Sequence, residues 1–109
     1  KWVRNHGSKT GEARFVKSTR FDSRKGKVFG FYNEINEKCY CVETPDGIAP
    51  VSAKTASTFI RYSDTDISAG GCYEGKGYKA VSLGFPIETL KEEKNIDTII
   101  KTTLEFFSK

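Results

Sequence analysis

Methionine is absent from the 109 residues, tryptophan and histidine occur once each, and cysteine and proline occur three times each. Each scarcity removes a possibility. The single histidine, His6, stands far in sequence from Cys39, Cys41 and Cys72. Cys39 and Cys41 are two apart and would share one side of an extended strand, whereas structural zinc sites want a turn-borne pair and two further ligands, so no metal is expected. A disulfide between Cys39 and Cys41 would strain such a strand. Pairing of either with Cys72 stays open beside the plainer reading of small buried thiols in strands. No apolar run approaches the ~20 residues that a membrane helix requires. A secretory leader and an initiator methionine are also missing, and the expectation is a single domain over residues 1–109 that is a fragment of a larger secreted multidomain protein.

What is present fits one folded domain. The length allows one modest core and not two. Hydrophobic residues at 37%, aromatic at 13% and charged at 29% place the chain outside the disordered classes. Its net charge of +4 is unevenly spread: residues 1–27 carry nine Lys or Arg against Glu12 and Asp22, so the remainder is net acidic. A basic end of this kind suits a polyanion, either an acidic glycan or a nucleic acid. Only Trp2, Phe15 and Phe21 interleave it, so a solvated face is favoured and nucleic acid is disfavoured.

In order along the chain, residues 1–12 show no sustained period. Residues 13–18 and 27–32 read as two strands joined by a polar link over 19–26. Residues 33–38 are turn-like, 39–43 read as a third strand, and Thr44, Pro45, Asp46 and Gly47 match a type I turn. Residues 48–56 are irregular, with a short extended piece at 48–51. Strands resume at 57–62 and 67–73, where Gly70 and Gly71 suggest a bulge or a close backbone approach. A four-residue loop at 74–77 leads into residues 78–89, whose apolar positions fall on both parities and predict a central strand covered on both sides, ending at Gly84, Phe85 and Pro86. From Asn95, a plausible N-cap, Ile96, Ile99, Ile100, Thr103, Leu104 and Phe107 share one helical stripe, which predicts a helix laid on the sheet. The fold class is therefore α+β or α/β, with a mixed, largely antiparallel sheet of about five or six strands under a C-terminal helix.

Residues 77–90 with the closing helix, together with 2–11, 42–51, 59–62 and 68–70, resemble a domain of Bacteroidetes multidomain secreted proteins labelled xanthan lyase. There the segment resembles the C-terminal half of a three-layer α/β domain related to class I glutamine amidotransferases. The resemblance implies a location that is secreted, periplasmic or at the cell surface, and a carbohydrate-related parent. Catalysis by such a domain needs a cysteine on a nucleophile elbow and a His-x-Glu pair near the end, and neither stands here, so no catalytic residue and no cofactor are assigned. The function expected is a non-catalytic structural or glycan-associated module. The alternative is part of an amidotransferase-like or polysaccharide lyase enzyme domain whose catalytic residues lie largely outside this chain. Trp2, Tyr62 and Phe85 are the candidate aromatic platform, and Glu88, beyond the end of the last strand, is either the polar centre of a pocket or the cap of a short helix. Expected partners are the rest of the parent polypeptide, an acidic glycan and, because one helix cannot cover both sides of the sheet, a second copy in a homodimer or strand-exchanged pair.

Overall fold

The segment richest in β-branched and aromatic residues, Ala56–Tyr62 (β5), lies at the middle of the sheet. A computed structural model describes residues 1–4, 6–18, 20 and 26–109, so most of the 19–26 link, Phe21 included, lies outside the described residues. Within them the fold is α+β. Its main sheet is antiparallel and five-stranded, in the order β3 (Val28–Gly30), β2 (Glu12–Phe15), β5, β6 (Ser68–Glu74) and β7 (Lys79–Leu83). A separate two-stranded arm joins β1 (Trp2–Arg4) to β4 (Gly47–Ile48).

Two expected hairpins are present. The β2–β3 pair runs from Glu12↔Gly30 to Arg14↔Val28, and the β6–β7 pair from Gly70↔Leu83 to Glu74↔Lys79. The Gly70 and Gly71 pattern also finds its reason. The β5–β6 register shifts around Phe59, and at Gly70 a Cβ would lie only 3.1 Å from that of Ile60 on the bulged strand.

The expectation of a central strand at 78–89 is corrected: β7 is an edge strand and stops at Leu83. Its two-sided pattern has another origin. Val81 and Leu83 turn to the helix side, Ala80 and Ser82 to the opposite side, and Phe85 lies past the strand's end, where it enters the core. The strand expected at 39–43 is likewise absent. At its start the Asn36 side-chain oxygen accepts the amides of Lys38 (2.9 Å) and Cys39 (3.0 Å), and further on the Val42 amide donates to Tyr32 O at 2.7 Å, so isolated bonds stand in place of a ladder.

One side of the main sheet carries the core. Ala13, Phe15, Phe29, Ile60 and Tyr62 meet Phe31, Phe85, Leu90, Ile99 and Phe106 there, with Phe31 and Phe85 stacked at 5.4 Å. The helix α1 (Glu93–Phe107) closes this side. It begins two residues before the expected cap: Glu92 takes the N-cap position, and Asn95 is buried inside the first turn. The buried stripe is also rotated from the expected one, running through Asn95, Ile99, Thr102 and Phe106, while Ile100, Leu104 and Phe107 remain 45%, 59% and 45% exposed. Thr102 tolerates burial because its hydroxyl donates to Thr98 O at 2.7 Å.

Tyr62 joins the two sheets. Its buried hydroxyl donates to Asp46 O at 2.7 Å, and Asp46 N–H donates to Gly84 O at 2.8 Å. Gly7 N–H donates to Pro45 O at 2.7 Å. The backbone at 44–47 thus bonds to three other segments, at Gly7, Tyr62 and Gly84, instead of closing the type I turn expected there. Gly7 and Gly84 are required by proximity: a Cβ on Gly7 would overlap the Tyr62 ring, and one on Gly84 would overlap Asp46 O.

Burial, with the Asp46 charge adding to it, holds the Tyr62 phenol far above its ordinary 10.0. The unfolded chain therefore releases this proton at lower pH than the folded one, so the contribution is intact below about pH 10 and is lost as the pH rises further. Tyr62→Phe should cost about 1–3 kcal/mol at neutral pH, because Asp46 O loses its donor. Urea unfolding at pH 7 and across the alkaline range checks both points, the variant showing a shallower alkaline loss than the wild type.

Candidate functional groove

Opposite the core, the main sheet presents a floor of small side chains. Gly71 pairs with Ser82 and Tyr73 with Ala80, and pairs across an antiparallel ladder project to one side. Glycine, alanine and serine cannot fill the space beneath the β1–β4 arm, which lies against β6 through β4. A groove of about 480 Å³ remains between them. Its walls carry Trp2, Ile48, Pro50 and Val51, and Ser52, Thr55, Ser68 and Ser82 add hydroxyls. Apolar walls with a few directed polar groups are the usual make-up of a small-ligand site.

Trp2 stands at this groove with 61% of its surface exposed. Its indole N–H donates to the Asp46 carboxylate at 3.1 Å, which fixes the ring's direction and leaves its surface open. A second aromatic element involves Tyr73, which also lines the groove: its ring lies 5.1 Å from that of Tyr78, which is 62% exposed. The hydrogen bond that the Tyr73 hydroxyl donates to this neighbour raises the Tyr73 phenol above its ordinary value.

The four residues singled out from sequence are not brought together. Trp2 lines the groove, whereas Tyr62 and Phe85 are core residues with no ring surface open to a solute. Glu88 lies apart, exposed on the 3-10 turn Ile87–Thr89. Its carboxyl is held below the usual range by its own backbone N–H and by the Tyr40 hydroxyl, and the same bond raises the Tyr40 phenol. This is a local surface pair outside the groove. Tyr73 and Ser82 line the groove without having been singled out from sequence, although alternation carries the signal: Tyr73, Ala80 and Ser82 interleave with Cys72, Val81 and Leu83.

The cysteines separate in the same way. Cys72 is buried in β6 with its sulfur 3.3 Å from the Ser57 hydroxyl, while Cys39 and Cys41 are half-buried in an irregular segment rather than in a strand. No group of three His, Cys, Asp or Glu side chains is placed to hold a metal ion among the described residues. Comparison with known protein families, with curated proteins and with solved structures gives no match.

Titration of the native protein with an aromatic disulfide reagent should modify Cys39 and Cys41 rapidly and Cys72 only on the timescale of unfolding. Rapid reaction of all three thiols would contradict the burial of Cys72.

Proposed function

We propose that this chain is a non-catalytic glycan-associated module of a secreted carbohydrate-related protein, and that it holds an acidic sugar chain along the groove between the β1–β4 arm and the open side of β6 and β7. The reading rests chiefly on Trp2, an exposed indole oriented by Asp46 beside a floor of small and hydroxyl-bearing residues. A sugar ring offers an apolar C–H surface to an aromatic ring and hydroxyls to serine and threonine at its rim. An indole already held in place loses little freedom on binding, so more of the contact energy appears as affinity. The basic balance of residues 1–27 favours an acidic glycan over a neutral one. The catalytic alternative has less support, because Glu88 is engaged with Tyr40 and does not line the groove.

Calorimetric titration with uronic acid-containing oligosaccharides tests this reading. Binding should weaken as salt is raised. Trp2→Ala should lower affinity about tenfold, equivalent to ~1.4 kcal/mol, with an unchanged circular dichroism spectrum. Ala80→Leu, which fills the floor, should weaken binding comparably. Absence of binding, or binding indifferent to both substitutions, would exclude the groove as the site.

A further inference from the structure

The side of α1 turned away from the sheet is amphipathic in a way that burial within one chain does not explain. Ile100, Leu104 and Phe107 form an exposed apolar stripe. Between that stripe and Val81, Leu83 and Ile87 runs a groove of about 290 Å³. The neighbouring sheet edge is open as well. At the far edge of the sheet, Phe31 bridges to Leu90, whereas β7 has no strand partner beyond β6 among the described residues.

The charges beside the stripe specify what fits there. Asp97, Lys101, Glu105 and Lys109 follow at four-residue spacing along one flank of α1 and its end, alternating in sign, and all are exposed. No ion pair among the described residues uses any of them. When two copies of a helix pack antiparallel about a two-fold axis, the same flank of each meets itself, so a self-complementary pattern is needed. An axis at Thr103 supplies it: Lys101 meets Glu105 of the second copy, and Asp97 meets its Lys109. A parallel pairing about a two-fold axis would turn this flank toward the opposite flank of the second copy and leave the alternating pattern unused. The same axis lies within the apolar stripe, so Ile100, Leu104 and Phe107 of both copies are buried together, and the groove beside β7 receives large side chains from the second copy.

We propose that α1 is the interface of a two-fold homodimer, with the helices antiparallel and crossing near Thr103. This assembly is independent of the sugar-binding groove, which lies on the other side of the sheet. Sedimentation equilibrium over ~1–100 μM should give twice the chain mass, and Leu104→Glu should give a monomer with an unchanged circular dichroism spectrum. Lys101→Glu alone should raise the dimer dissociation constant about tenfold or more, as close like charges at an interface do. Adding Glu105→Lys should restore it, because the swapped pair is again complementary. A monomeric wild type, a dimer indifferent to Leu104→Glu, or a double variant no tighter than Lys101→Glu would each overturn the proposal.

Discussion

The hydroxyl of Tyr62, donating at 2.7 Å to the carbonyl of Asp46, is the contact on which the arrangement of the two sheets depends. Tyr62 ends the middle strand of the main sheet, and Asp46 immediately precedes β4 of the arm. The ring packs edge-on against Phe31 at 6.1 Å and Phe85 at 6.4 Å. One side chain, at the end of β5, therefore contributes to the core and bonds the backbone of the arm at Asp46. Buried polar groups are costly when unpaired, so the bond is effectively obligatory once the ring is buried. Gly7 and Gly84 serve the same contact by leaving space beside it.

From this constraint follows the unequal treatment of the two sides of the sheet. The side that receives the phenylalanines and the helix is filled by large buried side chains. Its opposite is roofed, among the described residues, by a short arm bonded through Pro45 and Asp46 and standing over glycine, alanine and serine. Asp46 works twice, its carbonyl holding Tyr62 and its carboxylate orienting Trp2. The tether that completes the fold thus also sets the ring at the groove, which is why a site can exist on a sheet whose own side chains there are so small.

Local patterns of short range were legible in the sequence, and those that depend on long-range partners were not. The β6–β7 hairpin could be read because both strands and their glycine-containing loop are contiguous, and the helix could be read from its period. Its buried side could not, because Thr102 and Asn95 are buried in place of Ile100 and Leu104, and only the shape of the sheet beneath decides that. Apolar residues on both parities of 78–89 predict one strand at the middle of the sheet, but the strand ends at Leu83 and Phe85 lies beyond it in the core. Tyr62 and Phe85 were picked out as large aromatics, yet large aromatics mostly fill cores, and here they do. Trp2, singled out in the sequence, lines the groove, and the ladder register places Tyr73 on the same side through its pairing with Ala80.

Hydrogen exchange at the amides of Gly7 and Asp46 tests most directly whether the arm is fixed to the sheet. Both amides donate across the crossing at Tyr62, to Pro45 O and Gly84 O respectively. If this crossing fixes the arm and so pre-forms the groove, they should exchange as slowly as the amides of β5, by global unfolding. Exchange at these two amides orders of magnitude faster than in β5 would mean that the arm opens independently, and would contradict the account.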